Sequence, residues 1–443
     1  MADTAPPRGA PITHGRVLHI ALPIVISNAT VPILGAVDTG VVGQLGQAAP
    51  IGAVGLGAVI LTSLYWLFGF LRMGTSGLTA RAHGAGQAGE VAAMLTRALM
   101  IGLAGGLAII VLQLPLFAAA FALAPASAEV EGLARGYMGV RVWSAPALIA
   151  IYGVTGWLIA QERTRAVLAL QVLMNGVNIG LDLWFVLGLD WGVVGVARAT
   201  FIAEWGGLAF GIWLCRDAFA RSAWRDWPRV FDRARLREMA AVNTDILLRS
   251  LMLKGVFLSF LFLGSGFGDV TLAANQVLMQ FLEITAFALD GFAFAAEALV
   301  GQAMGARDPM RLRRAAWMTS LWGLVATFGL AAAFALAGGA VIDLMAKAPE
   351  VQAEGRVFLP YMVFAPVLGL AAFMLDGIFI GATRSRDMRN MMAVSLAVYV
   401  LAVVALVPAL GNHGLWAALL VSFVARGVTL GLRYPALERA AAG

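Results

Sequence analysis

The chain has 443 residues, 60% of them hydrophobic and 13% charged, with a mean hydropathy of +0.84. A water-soluble domain carries about 25% charged residues, so a soluble globular fold is excluded. The formal charge of +6 comes from 29 arginines and two lysines, Lys254 and Lys347. They sit mostly between apolar runs and do not interleave with aromatics, which excludes a nucleic-acid-binding surface.

The opening stretch, Met1 to Gly15, is polar and carries prolines, without the apolar region and cleavage site of a signal peptide, so the first apolar run is expected to remain in the protein. Twelve apolar segments follow, at about 17–41, 51–74, 92–115, 134–160, 166–187, 192–215, 240–263, 272–299, 315–338, 357–381, 391–410 and 414–435. Their lengths suit a hydrocarbon core about 30 Å thick. Open strands would leave backbone groups unpaired in lipid, so the fold class is an all-α polytopic membrane protein with 12 transmembrane helices.

Basic residues are divided unevenly between the connections. The start of the chain (Arg8, Arg16), the even-to-odd connections and the tail (Arg433, Arg439) hold most of the 31. The other connections hold Arg135, Arg141, Lys347 and Arg356. The linker 216–237 between segments six and seven carries seven arginines: Arg216, Arg221, Arg225, Arg229, Arg233, Arg235 and Arg237. This asymmetry predicts cytoplasmic termini and a cytoplasmic linker in a bacterial-type inner membrane.

The linker also separates two copies of one pattern. Ala145-Pro146 recurs as Ala365-Pro366 at an offset of 220. Gly156-Trp157 and Arg163-Thr164-Arg165 recur as Gly377-Ile378 and Arg384-Ser385-Arg386, and His83-Gly84-Ala85 as Met304-Gly305-Ala306, all at 221. Trp191-Gly192 recurs as His413-Gly414 at 222. The reading is a 6+6 duplication, lobes 1–220 and 221–443. Six is an even number of crossings, so the repeats are parallel, and such pairs work by rocking around a cavity between lobes.

Charges within the segments carry the functional argument, since a carboxylate at mid-bilayer costs about 2.5–3.5 kcal/mol. Asp38 lies in segment one, and Asn178 and Asp182 share a face of segment five at a spacing of four. Thr200 of segment six adds a hydroxyl, and all sit toward the outer half of their helices. The set reads as a proton or sodium site or as a structural knot between helices. Pro23 and Pro32 remove hydrogen bonds in segment one and permit a bend beside Asp38. In segment eight Glu283, Asp290 and Glu297 recur every seven residues, and Lys254 lies mid-way along segment seven. Either Lys254 pairs with Glu283 or Asp290, or one of these carboxylates holds a cationic substrate. Asp376 is a gate candidate, and Asp245 with Arg249 reads as a local pair at a spacing of four. Tyr65, Trp66, Phe70, Met279, Phe281 and Phe287 could line an apolar cavity.

Leu22-Pro23-Ile24, Asp38-Thr39-Gly40-Val41-Val42-Gly43, His83-Gly84-Ala85 and Gly192-Val193-Val194-Gly195-Val196-Ala197 together resemble the multidrug and toxic compound extrusion (MATE) family. Phe287-Ala288-Leu289-Asp290-Gly291-Phe292-Ala293 and Asp376-Gly377-Ile378-Phe379-Ile380-Gly381-Ala382-Thr383 are similar to its DNA-damage-inducible (DinF-like) branch. The resemblance implies a V-shaped pair of six-helix bundles that exports organic, often cationic, compounds against protons or sodium ions. It also implies a cation site on Asp38, Asn178, Asp182, Thr200 and Tyr137. The family's other branch places its coupling carboxylate in segment seven. Here that helix offers only Asp245 near its inner end, with Lys254 at its middle.

A flippase for a lipid-linked precursor is the alternative. It would need clustered arginines to grip a pyrophosphate, and Arg198, Arg249 and Arg426 are scattered in sequence. A receptor or channel is disfavoured by the duplication and by the lack of a filter motif. Cys215 is the only cysteine, and His14, His19, His83 and His413 lack ligand spacing. No cofactor, structural metal or enzyme chemistry is therefore expected beyond the coupling ion. The expected partners are a small organic substrate and the lipid bilayer, with the chain acting as a monomer.

Overall fold

The computed structural model describes residues 10–44, 47–124, 126–220 and 222–442. Arg8 and Arg221, both used in the charge count, and the side chain of Thr39 lie outside the described set. Among the described residues there is no strand, and twelve helices are long and apolar enough to span a membrane. We number them α1 (His14–Gly43), α2 (Ala48–Gly84), α3 (Ala88–Val111), α4 (Ala128–Ala160), α5 (Thr164–Gly188), α6 (Gly192–Leu214), α7 (Arg233–Ser265), α8 (Asp269–Gly305), α9 (Pro309–Met345), α10 (Pro349–Gly381), α11 (Ser385–Leu410) and α12 (Asn412–Ala441). The twelve expected spans are all present. The third stops at Val111, and a short helix, Gln113–Leu123, takes up the end of the expected segment.

Three spans depart from regular α geometry. α2 breaks between Trp66 and Gly69. α4 tightens into a 3-10 turn at Val142–Ser144, just before Pro146, whose missing N–H suits the first turn of a restarted helix. α5 ends in a π-helical stretch, Leu183–Gly188, immediately after Asp182. α4 also begins at Ala128, earlier than the hydropathy suggests, because Ser127 caps it by accepting from the Val130 amide. Arg135 and Arg141, both inside the segment expected at 134–160, are helical residues of α4 rather than members of a connection. α1 runs unbroken through Pro23 and Pro32.

The chain forms two compact units. The first holds Ile26–Thr79 and Gln87–Leu236; the second holds residues 10–25, 80–86 and 237–442. The first half of α1 and the end of α2 thus pack within the second unit. That unit has an aromatic core in which Phe260 meets Trp416 edge-on at 4.5 Å and Phe281 meets Phe334 at 4.9 Å. Phe281, a candidate cavity residue, is fully buried in this core. Met279 is partly buried against the same cluster.

The duplication is written into the backbone. Residues with positive φ occur in pairs 221 apart: Gly86 with Arg307, Glu162 with Thr383, and Asp190 with Gly411. Close helix approaches repeat as well. Gly156 lies against the Arg72 carbonyl in the first unit, and Gly377 lies against the Ala293 carbonyl in the second. Arg72 and Ala293 are themselves 221 apart. Small residues at such crossings let backbones meet where lipid gives no hydrophobic drive for packing.

A Cβ at Gly156 or Gly377 would overlap a backbone carbonyl, whereas one at Gly255 in α7 meets nothing within 4 Å. Gly156→Ala and Gly377→Ala should each destabilise the protein by about 1–3 kcal/mol or more. Gly255→Ala should be neutral or slightly stabilising. Thermal unfolding in detergent checks this; equal melting temperatures for the three variants would contradict the packing.

Candidate functional site

In the first unit α1, α4, α5 and α6 bring together the polar side chains. Asn178 and Asp182 face the same way from α5, one turn apart. The Asn178 amide nitrogen donates to Asp182 and, at 3.3 Å, to Asp38 Oδ1 on α1. The two carboxyl groups lie within hydrogen-bonding reach of each other. Asn178 is 1% exposed and Asp182 0%. Asn178 Oδ1 and Asp182 Oδ1 are buried without a hydrogen-bond partner among the described residues. Below them, Asn175 Nδ2 donates to Thr30 Oγ1 at 2.9 Å and continues the α1–α5 seam.

Thr200 on α6 donates to the Val196 carbonyl at 3.1 Å, which leaves its oxygen lone pairs available. Tyr137 is buried on α4, its ring lying so close to Gly57 that a side chain there would meet it at 2.7 Å. Four residues after Tyr137, Arg141 is ion-paired with Glu204 of α6 and donates to Ser144 Oγ at 2.9 Å. Tyr65 of α2 donates to the Arg141 carbonyl at 3.1 Å. Arg141 acts electrostatically on Asp38, Asp182 and Tyr137. Four of the sequence-derived residues, Asp38, Tyr137, Asn178 and Asp182, are thus linked by hydrogen bonds or by charge.

Sequence reading passed over Arg141 and Glu204. Arg141 lies inside the segment expected at 134–160, and grouping it with the preceding connection hid a charge that belongs to the helix. The signal for Glu204 was its spacing of four from Thr200, which puts both on the buried face of α6.

The second unit differs from expectation in several respects. Asp245 and Arg249 do not pair with each other. Asp245 accepts from Arg389 at 2.6 Å and from Ser385 Oγ at 3.0 Å, while Arg249 binds Asp376 of α10. A spacing of four permits a pair, but partners on neighbouring helices reach these side chains first. Asp376 also faces Arg426 of α12 at 3.7 Å, so two arginines that are far apart in sequence meet on one carboxylate. The α8 acids do not form a uniform stripe: Glu283 is exposed, Asp290 half-buried and Glu297 fully buried. Lys254 is exposed on α7, and Phe287 is half-buried.

The MatE family model matches twice, over residues 23–184 and 246–406, once in each repeat. The chain is 41% identical to DNA damage-inducible protein F of Escherichia coli (strain K12) over 416 residues, covering 93% of this chain and 90% of that protein. It is 31% identical to the probable multidrug resistance protein NorM of Caulobacter vibrioides, covering 70% of this chain and 67% of the relative. Its fold is similar to the crystal structure of MATE in the bent conformation, with a TM-score of 0.88, 21% identity and 97% coverage of both chains.

The Arg141–Glu204 pair lies in the interior, so Glu204→Gln leaves a buried guanidinium without its counter-charge. Breaking a buried pair on one side costs about 3–5 kcal/mol, whereas replacing both members with apolar residues can be neutral. Glu204→Gln should therefore lower the melting temperature sharply, and Arg141→Met with Glu204→Met should recover most of the loss. A single variant as stable as the parent protein would show that the pair supports nothing.

Proposed function

Because the chain belongs to the MatE family and is a membrane transporter rather than an enzyme, we propose that it exports organic compounds in exchange for a proton or a sodium ion. The observation that carries this reading is the Asp38–Asn178–Asp182 bridge with two buried, unpartnered oxygens. Two carboxylates within reach of each other cannot both stay ionised cheaply in a medium of low dielectric. A proton shared between them, or a sodium ion held by Asp38, Asn178, Asp182 and Thr200 oxygens, removes that penalty. Tyr137 and Arg141 set the electrostatics beside it.

The ion enters from outside, and its uptake drives release of the substrate by alternating access. A potential of 100 mV acting on one charge supplies about 2.3 kcal/mol, to which an ion gradient adds. Pro23 and Pro32 of α1 are the positions where the helix bends in response. The Caulobacter relative's description as a multidrug resistance protein supports organic cargo. Cationic cargo is held by Glu283 and Asp290 of α8, with Met279 and Phe287 on the same helix and Lys254 on α7; the protein works as a monomer in a bacterial inner membrane, with both termini cytoplasmic.

Reconstituted protein should show efflux driven by an imposed proton or sodium gradient. Asp38→Asn and Asp182→Asn should each abolish gradient-driven export, and with it the pH dependence of substrate release, while the protein still folds. Export at the parent rate by either variant removes that residue from the coupling site. For topology, Ser222→Cys adds a thiol at an exposed position of the linker. The native Cys215 is buried, and burial pushes its thiol up from the ordinary range, so it contributes little background. Impermeant thiol reagents should label Ser222→Cys only after the cells are opened; labelling of intact cells would place the linker outside.

A further inference from the structure

The buried charges of the second unit do not balance at one place. Arg249 of α7 and Arg426 of α12 converge on a single carboxylate, Asp376 of α10. All three residues are nearly sealed from solvent, at 6%, 3% and 8% exposure. Asp245 on α7 is held by Arg389 and Ser385. Among the described residues, Asp376 is thus the one carboxylate with which both buried guanidinium groups form ion pairs. The Nε atoms of Arg249 and Arg426 are buried donors without a partner among the described residues. The Arg426 guanidinium lies beside the paired Phe373 and Phe423 rings, at 5.7 and 5.8 Å from their centroids. The rings supply part of the missing negative field, but they accept no strong hydrogen bond.

From this geometry we infer an anion-binding site in the second unit, in which Arg249 and Arg426 take one carboxylate or phosphate group and Asp376 is the internal carboxylate it displaces. Guanidinium groups present forked donors that match two oxygens of such a group, and a charge-assisted bond is about twice as strong as a neutral one. Asp376 satisfies one fork well and the other poorly, since its oxygen stands 3.7 Å from Arg426. An entering anion gains the bonds that Asp376 leaves unmade. The aromatic pair beside Arg426 favours an anionic group carried on a flat apolar body. The residues of this site are distinct from Asp38 and Asp182, proposed for cation uptake, and from Glu283 and Asp290, proposed for cationic cargo. Whether the anionic group comes from a soluble organic anion or from a lipid headgroup, the chemistry of recognition is the same.

The test is equilibrium binding to the purified full chain, read as ligand-dependent thermal stabilisation, with benzoate, inorganic phosphate, and nanodiscs with and without phosphatidic acid as probes. Stabilisation by benzoate or phosphate supports the site and a soluble source; stabilisation by phosphatidic acid alone supports the site and a headgroup source. Arg426→Gln keeps the Arg249–Asp376 pair and should weaken binding roughly tenfold or more, the loss expected of one charged hydrogen bond. Arg426→Lys should recover only part of it. Asp376→Asn removes the competitor and should tighten binding, a sign opposite to that of a merely structural carboxylate. Glu283→Gln should leave anion binding unchanged, so failure of the cation-cargo reading is distinguishable from failure of this one. If no probe stabilises the parent protein or Asp376→Asn, or if Arg426→Gln binds as the parent does, the proposal is overturned.

Discussion

A charge inside a hydrocarbon layer has no water to turn to, and the buried charges of this chain are accordingly met by groups on other parts of the fold. Arg97 of α3 is held by Glu90 at 2.5 Å and by the Val230 carbonyl at 2.8 Å, which ties the basic linker to the first unit. Arg141 joins α4 to α6, Arg249 joins α7 to α10, and Asp245 joins α7 to α11. Each pair needs its partner more than the fold needs the pair, because a lone charge left inside costs more than a well-made pair contributes. The same constraint gives meaning to the few atoms left unpaired. In the first unit they include the oxygens of Asn178 and Asp182; in the second they include the guanidinium nitrogens of Arg249 and Arg426.

The setting of the first unit's acids shows how the backbone serves the site. Asp182 is the last residue of regular α-helix before a π-helical stretch, and such stretches cluster at functional positions. Arg141 lies at a comparable discontinuity, where α4 tightens into a 3-10 turn ahead of Pro146. Local departures from the α ladder re-aim neighbouring side chains. Here they flank two charged groups that act on each other.

Much of this was legible in the sequence, for definite reasons. The spans follow from hydropathy, and the repeat follows from glycine and loop motifs that mark close approaches and positive φ. Asn178 and Asp182 could be placed on one face because helical periodicity is fixed by the chain itself. What could not be read was which helix stands opposite. Asp245 and Arg249 have ideal spacing for a local pair, yet each bonds to a different helix. Arg249 and Arg426 are 177 positions apart and meet on Asp376, which no spacing rule anticipates. Arg141, inside the apolar segment expected at 134–160, was grouped with the connections, and its partner Glu204 on another helix could not be read from spacing.

The duplication kept the scaffold and exchanged the chemistry. Moving 221 positions along the chain turns Asp38, Asn178 and Asp182 into Ser259, Tyr399 and Val403, and Tyr137 and Arg141 into Phe358 and Met362, while the offset of 222 that holds from Gly192 onward turns Thr200 and Glu204 into Ser422 and Arg426. The hydrogen bond between Asn178 and Asp38 has a counterpart, since Ser259 Oγ donates to the Tyr399 hydroxyl at 3.1 Å. The counterparts Tyr399, Phe358 and Met362 belong to the apolar core of the second unit. Where the first unit holds Tyr137, Arg141 and Asn178, the second is packed with two rings and a thioether. Of its own buried charges, Arg249 and Asp376 stand where the first unit has Asn28 and Thr155, and Arg426 stands where it has Glu204. Two copies of one backbone therefore share one charged position, with opposite sign in each, and differ at the others.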